Sequence, residues 1–284
     1  MNYMLKRKDV ARQNGEISLP VRGAAIGNGW VDPFYQYAGA EFAYGHGLVD
    51  MSQRAAFQEQ EKQCQAKLNK QQYNVGICFD LIDSIIRESH GKDAPTTASG
   101  YDIRMSEPAH GSRDFPPGHK VVETYLGGHA LPANEVGTMT STVWQQVLQA
   151  IHASAATDAG QTYEECTDPP YNALAGNDGK GVVDDVVEVL EHPDKVQLLF
   201  FNGIYDIICN HVGNERFLEK LPWKHNAEWF LEGRYAWFAS SAAGAKVSGY
   251  MKEFENLKFL KIMDAGLYNV CVLRSSSLTQ ALLL

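Results

Sequence analysis

The chain has 284 residues, of which 44% are hydrophobic and 21% charged, as expected for one large globular domain or a domain with an insertion. Its net charge of −9 and its lack of a basic stripe argue against nucleic acid as a partner. The chain contains no run of about 18 apolar residues, so the sequence predicts no membrane-spanning helix. Its five cysteines include no Cys-x-x-Cys pair, which argues against a structural zinc site.

The N-terminal part of the chain predicts one strand. Met1–Val10 has basic residues with no apolar run behind them, so we expect no secretory signal peptide there. The basic group Leu5–Lys8 is typical of a solvated helix face. Val21–Pro33 combines small apolar residues with a Gly-Asn-Gly loop, which predicts a buried parallel strand followed by a close backbone approach.

The section from 34 to 180 has a pattern that favours helices. Apolar residues recur at helical spacing in Cys78–His90 and again in Thr140–Ile151, where Thr140 or Ser141 can cap the helix. Segments rich in glycine and proline interrupt these helices. We interpret the section as an insertion, or cap, carried by an α/β core.

The remainder of the chain returns to alternating helices and strands. Val182–Glu191 places its apolar residues on one helical face, and the largely apolar Val196–Gly203 follows as a strand closed by a turn. Leu257–Gly266 has the same build as that strand, and a helix followed by a strand is typical of an α/β layer. The predicted organisation is a first part of the core at 1–33, a cap at 34–180, a second part of the core at 181–266 and a divergent tail at 267–284.

Several segments match one known family in order and spacing. They are Gly23–Asp50, Ser99–Arg104, Val122–Gly128, Gly203–Trp223 and the strand end Ile262–Gly266. Together they resemble the serine carboxypeptidases, which have an α/β-hydrolase fold with a cap inserted into its second half. The resemblance implies the C-terminal part of an α/β-hydrolase sheet with an inserted, mainly helical cap.

The resemblance also implies an activity, the release of C-terminal amino acids by a Ser-Asp-His triad, with a peptide C-terminus as substrate and no cofactor or metal. In such a triad a histidine takes the proton of the serine, and a buried carboxylate orients that histidine. The match places Asp206 at the triad aspartate. Asp206 stands among apolar residues, so its charge needs a strong partner, and the expected partner is a histidine after the last strand.

That histidine is missing, because Leu267 stands where the family has it, and the sequence ceases to resemble the family from there on. The chain also holds no Gly-x-Ser-x-Gly, the motif that carries the nucleophile in these folds. The resemblance therefore implies a partial chain, without the N-terminal region and the extreme C-terminus, that is catalytically incompetent. We expect His211 and His225 to be structural rather than replacements, and His110, His119 and His129 to be cap-loop residues.

Further residues take roles from the resemblance. Trp30 and Tyr37 match one wall of the pocket for the side chain before the cut bond, and Ile208 with Cys209 match the other wall. Such an apolar, aromatic pocket favours bulky hydrophobic residues, although ordinary packing would also explain Trp30 and Tyr37. Cys209 is expected to be a buried, inert thiol. Trp223, Trp229 and Trp237 are assigned to the core.

The cysteines give an expectation about the compartment. Cys64 and Cys78 match a family disulfide, and Cys166 matches a cysteine whose partner lies near the N-terminus of the family. Such bridges imply an oxidising compartment, so the family suggests a vacuolar, lysosomal or secreted location.

Two other functions remain open beside the peptidase. The chain could be a non-catalytic binding or decoy protein, or a relative that uses the same triad to transfer acyl groups. Gly233–Ser241 and Ala245–Phe254 suggest hairpin strands that add to the sheet. A half sheet would expose an edge and an apolar face, which favours aggregation or a partner, so we expect poor solubility of the chain alone.

Overall fold

The fold was examined in a computed structural model, which describes residues 1–17, 20–91, 93–108, 149–153, 155, 158–159, 172–240, 242 and 244–267. The chain divides into two compact units, one formed by Met1–Ser112 with Asn177–Leu284 and the other by Arg113–Gly176. The sheet and the candidate site both belong to the first unit. The cap boundaries expected at 34 and 180 stay a prediction.

A five-stranded mixed sheet forms the centre of the first unit in the described part of the chain. Its strand order is β1-β4-β7-β6-β5, with β1, β4 and β7 parallel and the β7-β6-β5 pairs antiparallel. A short antiparallel pair, β2 with β3, lies apart from it. The strands are β1 (Gly23–Gly27), β2 (Thr96–Ala98), β3 (Ser106–Pro108), β4 (Gln197–Gly203), β5 (Tyr235–Trp237), β6 (Gly249–Phe254) and β7 (Leu257–Ile262).

Three of the described helices begin at a side-chain cap, which is Asp32, Asp50 or Asn210. Asp50 starts the longest of them with a capping box, in which its side chain accepts from the backbone N–H of Gln53 and the Gln53 side chain accepts from the N–H of Asp50. The helices are α1 (Asn2–Asn14), α2 (Pro33–Gln36), α3 (Ala40–Gly45), α4 (Met51–Leu68), α5 (Gly76–Glu88), α6 (Val183–Leu190), α7 (His211–Lys220) and α8 (Asn226–Leu231), with a 3₁₀ turn at Ala175–Asn177.

The position of β4 in the centre of the sheet explains why its sequence is apolar at nearly every position. Leu198 and Phe200 pack on one face of the sheet with residues of α1, α6 and α7, and Leu199 and Phe201 pack on the other face with β6 and β7. Nearly every position of this strand is buried. The strand β1 is parallel, as predicted, but it lies at the edge of the sheet with Gly23, Ala25 and Gly27 exposed, so the prediction that it is buried is wrong.

Most predicted elements are confirmed. The three core strands, the two hairpin strands and the helices at 76–88 and 183–190 are present, and Trp223, Trp229 and Trp237 are buried. Val182 precedes its helix and is 47% exposed, so it does not belong to the buried face. The helix predicted over Thr140–Ile151 lies mostly outside the described residues, as do Cys166, His110, His119 and His129.

One prediction about the N-terminal helix is wrong. The group Leu5–Lys8 is not simply a solvated face, because Leu5 and Lys8 are both buried. Leu5 packs in the main core cluster, and the ammonium group of Lys8 forms an ion pair with Asp194. The helix is amphipathic although its sequence is basic, and its buried Lys8 pairs with Asp194 on the loop after α6.

A disulfide joins two helices of the second core cluster. Cys64 in α4 and Cys78 in α5 are bridged, with their Cα atoms 5.0 Å apart, as expected. Both cysteines are almost fully buried, among residues that include Phe57, Leu81 and Ile85. The bridge fixes the packing of α4 on α5.

Replacing both bridged cysteines, as Cys64→Ala with Cys78→Ala, is expected to lower the free energy of unfolding by about 3 kcal/mol, because the closed loop of 14 residues no longer restricts the unfolded chain. Urea unfolding followed by circular dichroism measures the change. The natural chain in reducing buffer is the control and should lose a similar amount. Equal stability of the oxidised chain and the double variant would show that the bridge contributes nothing.

Candidate active site

Asp206 follows the carboxyl end of β4, the edge at which open α/β sheets place their sites. Asn202 and Gly203 end the strand, and the chain turns there against the loop that follows β7. A Cβ atom on Gly203 would lie 2.4 Å from the carbonyl oxygens of Ala265 and Gly266. Only glycine permits this close approach, which brings the two loops together.

The carboxylate of Asp206 is completely buried. Its Oδ1 accepts a hydrogen bond from the backbone N–H of Cys209 at 3.0 Å. Burial raises the pKa of Asp206 to about 7, and the negative charge of Asp102 raises it further, whereas the backbone N–H groups of Cys209 and Ile208 partly offset these effects. Near neutral pH this group therefore exchanges between its acid and its carboxylate form.

The second oxygen of Asp206 lacks a partner. Among the described residues no donor reaches Oδ2, although the atom is buried. An acceptor of this kind normally finds a hydrogen bond, because leaving it unpaired costs about 1–3 kcal/mol. The residue is thus held on one side by backbone and has a free acceptor on the other.

The loop after β7 runs beside Asp206. The backbone N–H of Tyr205 donates to the carbonyl oxygen of Ala265 at 3.0 Å, so the two loops are joined directly next to the carboxylate. Leu267 is fixed by its backbone, since its N–H donates to Tyr101 O at 2.7 Å and its carbonyl oxygen accepts from Asn28 Nδ2 at 3.0 Å. Position 267 is therefore an ordered part of the site.

Gly266 is as constrained as Gly203. A Cβ atom at position 266 would lie 2.4 Å from Tyr101 O and 2.6 Å from Asp102 Cβ. We expect Gly266→Ala to lower the free energy of unfolding by about 1–3 kcal/mol, because the backbone must shift to relieve the overlap. Urea unfolding measures it, with Gly233→Ala as the control, since a Cβ there meets nothing within 4 Å. Similar stability of the two variants would contradict the prediction.

Trp30 and Tyr37, which the resemblance places in a pocket wall, pack on each other. The rings of Trp30 and Tyr37 meet edge to face with centroids 4.8 Å apart. Both residues and Ile208 pack in the helical core cluster, in which Tyr37 is buried and Trp30 and Ile208 are partly exposed. Burial raises the pKa of the Cys209 thiol far above its ordinary value, and the charges of Asp206 and Asp178 add to this effect.

Asp178 is the residue that sequence reasoning missed. Its carboxylate accepts from the hydroxyl of Tyr37 at 2.6 Å, and its backbone carbonyl accepts from Nε1 of Trp30 at 3.1 Å. It thus fixes both aromatic residues and brings a negative charge to an otherwise apolar wall. No signal in the sequence pointed to it, because it stands in a polar loop about 140 residues after the aromatic pair.

The two histidines considered as replacements make other contacts. His211, the first residue of α7, packs edge to face on Phe42 and on His46, and burial lowers its pKa to about 3. His225 packs between Trp223 and Phe254. Both positions agree with the structural role that we expected.

A cavity elsewhere in the described residues is separate from the candidate site. A cavity of about 450 Å³, lined partly by Gln197, Glu253 and Glu255, lies at the amino end of β4, opposite to Asp206. The described residues contain no group of His, Cys, Asp and Glu suited to a metal ion. None of the helices in the described part of the chain has the length and apolar character needed to cross a membrane.

Comparison with known proteins gives a consistent result. The family model described as serine carboxypeptidase matches residues 4–277. The chain is 26% identical over 261 residues to a pheromone-processing carboxypeptidase KEX1 of Phytophthora infestans, covering 90% of this chain and 40% of that protein. It is 28% identical over 247 residues to serine carboxypeptidase S10 family member 2 of Dictyostelium discoideum, covering 86% and 40%.

A solved structure supports the fold. The crystal structure of Kex1Δp, a prohormone-processing carboxypeptidase from Saccharomyces cerevisiae, matches with a TM-score of 0.73 and 19% identity, over 99% of this chain and 58% of that one. This likeness confirms the predicted α/β class. The chain spans about two fifths of the length of the curated relatives described above.

Proposed function

The chain belongs to the serine carboxypeptidase family, and on that premise we propose that Asp206 is the aspartate of a Ser-Asp-His triad. The activity proposed for the whole protein is the release of C-terminal amino acids from peptides. The substrate is the C-terminus of a peptide, and the mechanism needs no cofactor because the triad supplies the nucleophile, the base and the orienting charge.

The environment of Asp206 carries this proposal. A triad aspartate must be buried, held by backbone donors on one side and open to an imidazole N–H on the other. Asp206 has this arrangement, with Oδ1 bonded to Cys209 N–H and Oδ2 without a donor among the described residues. A buried carboxylate with a raised pKa at the carboxyl end of a strand is a typical feature of a functional site.

The same geometry supports position 267 as the place of the histidine. The loop after β7 is bonded to the Asp206 loop through Tyr205 and Ala265, and Leu267 is the next residue but one after Ala265. A leucine cannot donate to Oδ2 of Asp206 or take a proton from a serine. We therefore propose that these 284 residues, which also contain no Gly-x-Ser-x-Gly, do not catalyse hydrolysis.

The pocket wall suggests which substrates the site selects. Trp30, Tyr37 and Ile208 pack in one apolar and aromatic cluster, and as a pocket wall together with Cys209 they would favour a bulky hydrophobic residue before the cut bond. The compartment that we propose is oxidising, vacuolar or secretory, because the Cys64–Cys78 bridge would not persist in a reducing one.

Incubation of the chain with blocked dipeptides tests the proposal. We expect no release of amino acid above the buffer background, and the same result for Asp206→Asn, because neither a nucleophile nor a base stands beside the carboxylate. A full-length serine carboxypeptidase serves as the positive control for the assay. Hydrolysis by the natural chain that Asp206→Asn abolishes would show that a replacement nucleophile and base exist, and would refute the proposed incompetence.

A further inference from the structure

A third segment, Gly100–Arg104, connects the two loops of the candidate site. It follows β2 and packs between the Asp206 loop and the loop after β7. We call this segment the clasp. Its contacts include main-chain hydrogen bonds to both loops and an ion pair within the segment, in which Asp102 is buried and Arg104 is partly exposed.

The clasp binds the Asp206 loop on both sides of the carboxylate. Before Asp206, the backbone N–H of Ile103 donates to the carbonyl oxygen of Tyr205 at 3.0 Å. After it, the N–H groups of Ile207 and Ile208 both approach the carbonyl oxygen of Gly100 at 3.3 Å. The position of the carboxylate is thus set by bonds to the clasp as well as by the end of β4.

The clasp also binds the loop in which the histidine of the family is expected. The carbonyl oxygen of Tyr101 accepts from the N–H of Leu267 at 2.7 Å. The side chain of Asp102 lies against Gly266, and Arg104 Nη2 donates to the carbonyl oxygen of Asp264 at 3.3 Å. One short segment therefore contacts both loops within two residues of Asp206 and of position 267.

An ion pair keeps the clasp in this shape. Asp102 is 4% exposed and accepts from the backbone N–H of Arg104 at 3.1 Å, from its Nε at 2.9 Å and from its Nη2 at 2.6 Å. The guanidinium group also lies 4.4 Å from the ring centroid of Tyr205, and the contact with Asp102 raises the pKa of Arg104. Such a two-pronged contact needs the planar fork of arginine, which lysine cannot supply.

We propose that Asp102 and Arg104 are positioning residues, which set the distance and orientation between the carboxylate of Asp206 and the residue at position 267. This inference rests on the proposed function, since it concerns the alignment of a triad. Alignment matters because a displacement of about 1 Å between reacting groups can cost about 10²-fold in rate. The charge of Asp102 also contributes to the raised pKa of Asp206, after the larger effect of burial.

Amide hydrogen exchange in the natural chain tests the clasp as a mechanical connection. We expect exchange of the Leu267 and Ile103 amides to become at least about tenfold faster in Asp102→Asn and in Arg104→Lys, because local opening becomes easier. Amides inside the β4–β7 ladder should keep their rates. Asp83→Asn and Arg87→Lys, at exposed positions of α5, are the matched controls. Unchanged exchange at Leu267 in both clasp variants would overturn the proposal.

A second measurement tests whether the clasp sets the position of residue 267 relative to Asp206, or only makes the loop after β7 more rigid. Leu267→His places an imidazole at position 267, and its pKa can be followed by NMR. A nearby Asp206 carboxylate raises the imidazole pKa, and adding Asp206→Asn removes that elevation. We expect Arg104→Lys to remove most of this pKa elevation as well, although the substitution keeps the positive charge. The reason is that the Asp206 loop and the loop after β7 are then no longer held in the same relative position.

The outcomes distinguish failure of the inference from failure of the proposed function. An imidazole pKa that does not depend on Asp206 would contradict the assignment of Asp206 and position 267, and with it the inference. A pKa that depends on Asp206 but is unchanged by Arg104→Lys would leave the proposed function standing and overturn the clasp. Circular dichroism of each variant shows that the comparison is made on folded protein.

Discussion

Asp206→Asn is expected to lower turnover about 10⁴-fold in an active chimaera, as loss of the carboxylate does in serine triads generally. In this chimaera a relative's nucleophile-bearing segment precedes the chain, and Leu267→His supplies the base. The reason for the loss is that asparagine neither stabilises the imidazolium ion nor holds the imidazole in the tautomer that accepts the serine proton. Turnover of a blocked dipeptide measures the effect.

The control for this experiment is Asp83→Asn in the same chimaera, which changes an exposed carboxylate of α5 and should leave turnover unchanged. A loss smaller than about tenfold for Asp206→Asn would contradict the assignment of this residue. The reaction products distinguish a peptidase from an acyltransferase. Release of free amino acid indicates a peptidase, whereas an acylated acceptor indicates an acyltransferase.

The same substitution in the natural chain is expected to stabilise the fold near neutral pH. The folded-state pKa of Asp206 is raised to about 7 from an ordinary value of 3.8. The unfolded carboxyl group therefore loses its proton first, and stability falls as pH rises from about 4 to about 7. Above that window, Asp206→Asn should raise the free energy of unfolding by about 3 kcal/mol, after the cost of its own unpaired amide.

Near pH 4 the carboxyl group is protonated in both states, so only the cost of the unpaired amide remains, and Asp206→Asn should be less stable than the natural chain by about 1 kcal/mol. Urea unfolding of the two proteins from about pH 4 to about pH 8 measures the dependence. Other titrating groups are common to both proteins and cancel in the difference. Equal stability across this range, or a loss at the higher pH, would show that the charge of Asp206 is already compensated in the fold.

The sequence predicts the core of this fold well because local pattern and burial agree there. The run Val196–Gly203 is apolar at nearly every position, and its strand is almost fully buried between two parallel neighbours. The helix at Val183–Leu190 has a clear apolar face. Leu5 and Lys8 show the limit of such patterns, since a basic group conceals two buried side chains.

The candidate site depends on contacts between distant parts of the chain, which periodicity cannot reveal. Asp206 and Leu267 were found through resemblance to a family, not through local pattern. The clasp residues Asp102 and Arg104 lie about 100 residues before Asp206, and Asp178 lies about 140 residues after the aromatic pair that it fixes. Hydrogen bonds between loops of this kind leave no signature of spacing in one sequence.

The sequence did not predict that one oxygen of the Asp206 carboxylate would lack a hydrogen-bond donor. Sequence reasoning requires a strong partner for a carboxylate among apolar residues, whereas the structure provides one backbone donor to Oδ1 and, in the described part of the chain, none to Oδ2. Natural proteins pair most buried polar atoms, so an unpaired carboxylate oxygen calls for an explanation.

Titration of the Asp206 carboxyl carbon by NMR in the natural chain tests most directly whether this residue is a triad aspartate that lacks its partner. The account predicts a midpoint near pH 7, because burial disfavours the charge and no imidazole compensates it. A midpoint at the ordinary value of 3.8 or below would mean that a donor or cation already holds Oδ2, and would contradict the account.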